Sequence, residues 1–402
     1  MTDTDAILGY RRADGSLGVR NVLLVLPAGQ CANALALQCA EGVAGAFALL
    51  HTQPCAHLGE DNTAAANCLA GLGRNPNAAA VLVLGMGCDV VSAEDLAQRI
   101  ATTGKPVRCL TVEAVGDWES AVHLGRSWLE RQADAASRLR RERATIQDLS
   151  LGVKCGGSDA TSALAGNPAV GRVVDRLVEM GGTVVFSETT ELIGAEHLLL
   201  ERAPDPRVRG RMLASIRATE ERIRATGVDP RGTQPTPGNI AGGLSTLEEK
   251  SLGGVLKTGS SSISGVFPWG DAPQGPGLHL MDCPANVPQL LLGWAAAGCQ
   301  LLVFSVGGGL PARIPSLIGT NVGPLPLLPI IKVLSNPNDK DAACFFDVYA
   351  GEILEGGASL PQVSAKLWGS VLEAASGTPT YLESYCFPAV QVWELLLRGP
   401  TV

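Results

Sequence analysis

Charged side chains are scarce in this chain of 402 residues, at 17%, whereas hydrophobic residues make up 46%. This balance is typical of a compact globular protein and argues against long disordered segments. Basic residues are outnumbered, and the formal net charge is −8. Because phosphate binding depends on clustered Lys and Arg, nucleic acid is not expected as a partner. The length predicts two or three domains.

An apolar leader and a clear membrane span are also lacking. The first residues, MTDTDAILGYRR, begin acidic and contain no apolar core, so no secretory signal is predicted. The run from Val287 to Leu310 contains no charged residue and is long enough to suggest a membrane span. However, Gly298 and the glycines at 307–309 divide it into a helix and a buried strand. We therefore expect a soluble protein without membrane association.

The cysteines give no sign of a disulfide framework. There are eleven of them, an odd number, at irregular spacing. This usage fits a reducing cytoplasm, where cysteines are buried, catalytic or bound to metal.

Strand and helix patterns alternate along the chain. Mostly apolar strands are predicted at 20–26, 46–50, 79–84 and 107–112, with helical segments between them. This alternation predicts an α/β fold with a doubly wound, mostly parallel sheet. We expect this domain at 1–147, a central region that carries the chemistry at 148–276, and a second Rossmann-like α/β domain at 277–402.

Polar and sulfur side chains follow the predicted strands of the first domain. Because parallel strands share a polarity, these side chains should meet at one edge of the sheet. A further cysteine could fold back over that edge, so that four thiols would converge on a metal ion or an iron–sulfur cluster. The alternative is that these cysteines are small packing residues. The residues concerned are Cys31, His51, Cys55, Cys88, Glu113 and Cys155.

The stretch 151–200 concentrates the ionisable groups. It predicts a glycine-rich loop at 152–159, a helix that begins near Asn167 and ends at Gly181, and a buried strand at 183–186. Glu188, Glu191 and His197 follow this strand, where an open α/β sheet places its ligands. The alternative is an ordinary turn followed by a solvated helix.

Several ordered motifs resemble those of the altronate and galactarate dehydratase family of sugar-acid lyases. The resemblance covers nearly the whole chain. The motifs are G-Y-R-R-x-D-G-S-L-G-V-R-N at Gly9, G-M-G-C-D at Gly85, K-C-G-G-S-D at Lys154, A-G-N-P-A-V-G at Ala165, S-E-T-T-E-L-I-G-A-E-H at Ser187, P-G-N-I-A-G-G-L-S-T-L-E-E-K-S-L-G at Pro237 and P-I-I-K-V-L-S-N at Pro329.

The resemblance implies an enzyme that eliminates water across Cα and Cβ of a hydroxy acid to give a 2-keto-3-deoxy acid. Such chemistry needs a base, a cationic group for the enediolate and an acid or Lewis acid for the leaving hydroxide. The candidates for catalysis are His51, Glu188, Glu191, His197, Lys250 and Lys257. The motif positions expected to bind substrate are Ser158, Asp159, Asn239, Lys332 and Asn336.

The resemblance also implies a divalent metal, typically iron. We expect Fe²⁺ or an iron–sulfur cluster at Cys31, Cys55, Cys88 and Cys155, with Mn²⁺ or Mg²⁺ as alternatives. The small β-rich domain that usually precedes Gly9 in the dehydratases has no counterpart here, so a separate small subunit is expected to supply it. A homo-oligomer is also expected.

Two departures from the family bear on the substrate. Ile240 stands where the dehydratases usually carry Lys, and the segment from Ser305 to Pro311 resembles their T-T-G-R-G-T-P loop without its Arg. The main prediction is a dehydratase of a small hydroxy acid. The alternatives are the large subunit of a sulfo-lyase, which eliminates sulfite from 3-sulfolactate to give pyruvate, and a non-catalytic subunit that binds an acidic metabolite.

Overall fold

A computed structural model describes residues 6–54, 59–229, 234–308, 325–385 and 391–398. Its strands are β1 Ile7–Arg11, β2 Leu17–Gly18, β3 Val22–Pro27, β4 Ala46–Ala48, β5 Leu50–His51, β6 Ala78–Gly85, β7 Val107–Thr111, β8 Glu142–Ala144, β9 Ser150–Gly156, β10 Thr183–Phe186, β11 Ile263–Pro268, β12 Gly277–Asp282, β13 Leu301–Val306, β14 Ile330–Leu334, β15 Val348–Tyr349 and β16 Val392–Trp393.

The α-helices of the described residues lie mainly between these strands. They are α1 Asn33–Ala40, α2 Glu60–Arg74, α3 Ala93–Ala101, α4 Val112–Val115, α5 Trp118–Arg138, α6 Asn167–Glu179, α7 Glu196–Leu200, α8 Pro206–Ala225, α9 Pro237–Ala241, α10 Leu247–Val255, α11 Val287–Ala296, α12 Leu360–Ala375 and α13 Tyr381–Ser384.

The two largest sheets, both parallel, confirm the predicted α/β class. The smaller sheet has the strand order β4-β3-β6-β7, and the larger has the order β11-β12-β10-β9-β13-β14-β15. All strand pairs in both sheets are parallel. The larger sheet includes strands on both sides of residue 276, so the portions expected at 148–276 and 277–402 share one sheet.

The larger sheet carries helices on both faces. Leu302 and Phe304 of β13 pack with α11 and α2, whereas Val303 and the strand residues beside it pack with α6 and α12. This alternation follows from the two-residue period of a strand. The chain leaves β9 for β10 on one side and reaches β13 on the other, so the ends of these central strands form a topological switch point.

The predicted loop at 152–159 is wrong over its first five residues, which form the end of the central strand β9. The glycines there serve packing rather than a turn. A Cβ on Gly152 would lie 3.0 Å from the Trp294 ring, and one on Gly156 would lie 2.7 Å from the Phe304 ring. Glycine therefore lets aromatic rings pack directly on the strand.

The charge-free run after Val287 is a helix and a strand, as predicted. Every residue of α11 and β13 is buried, except for partial exposure of Pro288 in the first turn. Within the described part of the chain, no helix has both the length and the apolar character needed to cross a bilayer.

Candidate active site

Glu188 occupies an unusual backbone position at the end of β10. Its φ of 74° and ψ of 52° lie in the left-handed region, and it is the one non-glycine residue among those described with a positive φ. The flanking residues are held in place: the Ser187 hydroxyl donates to Met281 O at 2.7 Å, and Thr189 N–H donates to Cys283 O at 2.9 Å. Such strained residues cluster at functional sites.

The Glu188 carboxylate is fully buried and holds two ammonium groups. Lys154 from β9 bonds Oε1, and Lys257 bonds Oε2 at 3.0 Å. The Cys155 N–H donates to Oε2 at 3.4 Å. Both lysines are almost completely buried, so this triad is a desolvated ionic group that joins two separate parts of the chain.

The electrostatics of the triad favour its charged form. Burial alone would raise the pKa of Glu188, but Lys154 and Lys257 outweigh it and lower that pKa to about 2. Burial alone would lower the pKa of Lys257, but Glu188, Cys155 and Glu191 together outweigh burial, and the pKa is raised. Glu188 therefore stays ionised, and Lys257 stays protonated, across the neutral range.

A second buried ion pair lies next to the triad. Lys250 of α10 contacts Glu191 at 2.9 Å and donates to Gln234 Oε1 at 2.8 Å. Glu191 also acts electrostatically on Lys257 and Cys155, so the two ion pairs form one cluster. Three lysines and two glutamates leave the cluster with one net positive charge. That charge suits an anionic ligand such as a carboxylate.

Four of the predicted substrate-binding residues join the loops beside this cluster. The Asp159 carboxylate accepts from Ser162 N–H at 2.8 Å, Gly308 N–H at 2.7 Å and Asn336 Nδ2 at 3.2 Å. Asn239 Nδ2 donates to the carbonyl of Ser158 at 2.8 Å. Asp159 thus caps the helical turn that follows it and fixes the loop after β13. Direct substrate contact by these residues stays a prediction.

The fifth predicted binding residue, Lys332, lies inside β14. Its ammonium group is 4.2 Å from the centre of the Phe346 ring, and the side chain is 1% exposed. Burial lowers the pKa of Lys332 to about 8, although Asp347 opposes this effect. Lys332 and Lys154 both pair with Phe304 of β13, so the two lysines lie at the same level of the larger sheet.

The two predicted catalytic histidines are not held in the cluster by any observed contact. His51 is fully buried, with Nε2 2.8 Å from Pro27 O, while Nδ1 accepts from Gln53 N–H. Both ring nitrogens are therefore used by the backbone, and burial lowers the pKa of His51 to about 4. His197 is exposed on α7.

The predicted cysteine site is divided between the two sheets. Cys31 and Cys88 are exposed and follow β3 and β6 of the smaller sheet. Cys155 does not fold over that edge: it is buried in β9 of the larger sheet, where Sγ lies 3.1 Å from Ser158 Oγ and 3.4 Å from Asn167 Nδ2. Its strand position explains the difference. Cys55 lies outside the described residues.

The donor set was tested against the iron or cluster that the resemblance implies. Across the described ranges, no three His, Cys, Asp or Glu side chains are grouped to hold a metal ion. Of the four predicted ligands, the described residues therefore supply only Cys31 and Cys88 at this edge, and two thiols are fewer than an iron–sulfur cluster requires.

Two residues of this region were missed by the sequence analysis. Lys154 was quoted in a motif but not named for a role, although a lysine inside an apolar strand is itself unusual. Asn167 was predicted as the start of a helix and lies in the quoted motif at Ala165, but it was not named for a role. Its contact with Cys155 depends on long-range packing, so no local pattern identifies it.

Comparison with known proteins covers both parts of the chain. Residues 146–397 match the family model "D-galactarate/Altronate dehydratase, C-terminal", and residues 9–137 match "D-galactarate dehydratase/Altronate hydrolase, second domain". These two matches meet near the point where the chain passes from the smaller sheet to the larger.

Curated relatives span most of the chain. The (2R)-sulfolactate sulfo-lyase subunit beta of Chromohalobacter salexigens is 36% identical, over 94% of each chain. The altronate dehydratases of Bacillus subtilis and Escherichia coli are 34% and 31% identical, and each match covers 96% of this chain and 77% of the relative. The chain therefore belongs to the D-galactarate/altronate dehydratase family, a family of lyases.

Proposed function

We propose that this lyase removes the elements of water from Cα and Cβ of a small hydroxy acid and releases a 2-keto-3-deoxy acid. The observation that carries the proposal is the buried triad of Lys154, Glu188 and Lys257 at the ends of the central strands. The names of the altronate and galactarate dehydratases among the relatives support this reaction class.

The buried lysine ammonium groups can stabilise the negative charge that develops in this reaction. A proton next to a carboxylate is weakly acidic, because its removal creates an enediolate with additional negative charge. Preorganised ammonium groups in a desolvated site stabilise such charge far better than water does. In the proposal, Lys154 and Lys257 bind the substrate carboxylate and then stabilise the enediolate.

The two glutamates are assigned different tasks. Because the pKa of Glu188 is about 2, this carboxylate is a poor base, and its task is to hold the two lysines. Glu191 contacts one ammonium group rather than two, and we assign it the removal of the α-proton. Lys257 is protonated at neutral pH, and its raised pKa keeps it charged, so it is assigned the stabilisation of the enediolate rather than proton donation. The leaving hydroxide takes up the proton that Glu191 has removed.

Iron stays a prediction of the family resemblance. When bound, such a metal would act as a Lewis acid on the leaving hydroxyl group. Because the described residues do not supply a fitting ligand set, no step of the proposed mechanism is assigned to it.

A second candidate reaction is the elimination of sulfite from 3-sulfolactate to give pyruvate. The match to a sulfo-lyase subunit over 94% of both chains favours it. The α-proton and the enediolate are the same as in the dehydration, and sulfite leaves more readily than hydroxide. That relative is named as a subunit, so this reaction includes a second, separate chain as a proposed partner.

Turnover of a small substrate panel tests the proposal. The protein, purified without oxygen, is incubated with altronate, galactarate or 3-sulfolactate, with and without added Fe²⁺ and a small partner subunit. A 2-keto acid from altronate or galactarate without sulfite supports the dehydratase, whereas pyruvate with stoichiometric sulfite from 3-sulfolactate supports the second candidate. Binding of these acids without any product would contradict both and indicate a non-catalytic metabolite-binding subunit.

A further inference from the structure

The side-chain oxygen of Asn167 has no hydrogen-bond donor among the residues that the structure describes. The residue is 1% exposed at the start of α6. Its amide Nδ2 donates to Gly253 O at 2.9 Å and to Cys155 Sγ at 3.4 Å. These two contacts fix the orientation of the amide, because the reverse orientation would place its oxygen against the oxygen of Gly253. Oδ1 is then a buried acceptor without a donor.

Other unpaired polar atoms lie on the elements that meet there. Within the described ranges the buried hydroxyls of Ser305 and Ser335 have no partner. Both lie against Gly166, where a Cβ would be 2.5 Å and 2.1 Å from their Oγ atoms. Ser251 of α10 is a further buried hydroxyl that has no partner in the described part of the chain. Buried polar groups are nearly always hydrogen-bonded, so this concentration calls for a bound group that supplies the missing bonds.

Cys155 connects this region to the charged cluster. Its Sγ contacts Asn167, while its backbone N–H donates to the Glu188 carboxylate. The Asn167 amide is therefore one residue away from the two ammonium groups that bind the substrate carboxylate in the proposed function. This chain of contacts is the basis for placing the carbon next to that carboxylate beside Asn167.

We propose that Asn167 is a specificity-determining residue that accepts a hydrogen bond from the 2-hydroxyl group of the substrate. A neutral amide oxygen suits a hydroxyl donor and gives no attraction to a second anionic group. The inference rests on the carboxylate position in the proposed function. It is independent of the leaving group, because both candidate reactions start from a 2-hydroxy acid.

The test compares two non-reacting acids that differ by this hydroxyl group. Binding of lactate, as each enantiomer, and of propionate is measured by calorimetry on the full chain. One hydrogen bond in a buried site predicts that one lactate enantiomer binds about tenfold more tightly than propionate. In Asn167→Ala the preference should disappear while the affinity for propionate stays the same.

Two further variants separate recognition from folding. Asn167→Asp keeps an acceptor but loses the Nδ2 donor, so it should keep the preference for lactate even if its charge weakens the binding of both acids. Asn338→Ala, at an exposed position, is the control and should match the wild type. Thermal unfolding identifies any variant that is not folded, in which case the wild type and Asn167→Asp carry the test.

Three results would overturn the inference. One is equal affinity of the wild type for lactate and propionate, which would mean that buried water alone satisfies Oδ1. Another is an unchanged preference in folded Asn167→Ala, and the third is loss of the preference in folded Asn167→Asp. Absence of turnover with altronate, galactarate and 3-sulfolactate would refute the proposed function but would leave this binding ratio unaffected.

Discussion

The substitution Glu188→Gln removes the one charge that the two buried lysines share. The pKa of Glu188 is about 2 instead of its ordinary 4.5, and each tenfold change in proton affinity is worth about 1.4 kcal/mol. The charged interactions of Glu188 therefore stabilise the fold by about 3 kcal/mol. Breaking a buried ion pair in other proteins costs a similar amount.

The pH dependence has a definite direction. Because the folded-state pKa is lowered, the stabilisation is fully present above pH 4.5 and is lost as the pH falls towards 2. Urea unfolding between pH 7 and pH 3 should show Glu188→Gln less stable than the wild type by about 3 kcal/mol at pH 7, and the difference should shrink below pH 4.5.

A matched control is available at the surface. Glu355→Gln breaks a contact of 2.9 Å with Lys340 whose partners are partly exposed, and it should change the stability little at any pH. The reasoning would be refuted by a Glu188→Gln variant that is as stable as the wild type at pH 7. It would also fail if the difference did not depend on pH.

Three further predictions test other parts of the structure. Gly166→Ala should destabilise the fold by about 1–3 kcal/mol, because its Cβ would collide with Ser335 Oγ. In thermal unfolding, adding Ser335→Ala should recover part of this loss, and no recovery would contradict the contact. Asn77→Ala removes buried hydrogen bonds to Gln300 O and Leu327 O and should lower the free energy of unfolding in urea by about 3 kcal/mol. A change near zero would argue against this link between the sheets. If iron binds at the edge of the smaller sheet, Cys88→Ser should lower the iron content and Cys155→Ser should not; equal loss in both would contradict the separation of these thiols.

Elements with a strong local pattern were predicted well. The strand at 183–186 has the bounds of β10, and the helix expected from Asn167 to Gly181 is α6. Apolar runs and a terminal glycine suffice for such elements, because their burial is nearly continuous.

The central strand β9 was predicted incorrectly because its glycines are compatible both with a turn and with a closely packed strand. Glycine is common in turns, and the local sequence does not reveal that the Trp294 and Phe304 rings occupy the space beside Gly152 and Gly156. The error also affected the cysteine hypothesis, since a loop position for Cys155 would have allowed it to approach Cys31 and Cys88.

The charged cluster was predicted in part. Glu188, Glu191, Lys250 and Lys257 were named from motifs, but their pairing depends on contacts between distant segments. Lys154 was missed for the same reason. His51, by contrast, was named as a catalytic candidate and lies at a strand end as expected. However, backbone groups are hydrogen-bonded to both of its ring nitrogens.

The most direct test of the central claim is the rate of 2-keto acid formation by Lys257→Met. Loss of a preorganised cationic group at the reacting centre should lower kcat about 100-fold or more, whereas Lys340→Met at the surface should retain wild-type turnover. The substrate is whichever of altronate, galactarate and 3-sulfolactate the wild type converts. Wild-type turnover by a folded Lys257→Met variant would show that the elimination does not take place at the Glu188 cluster.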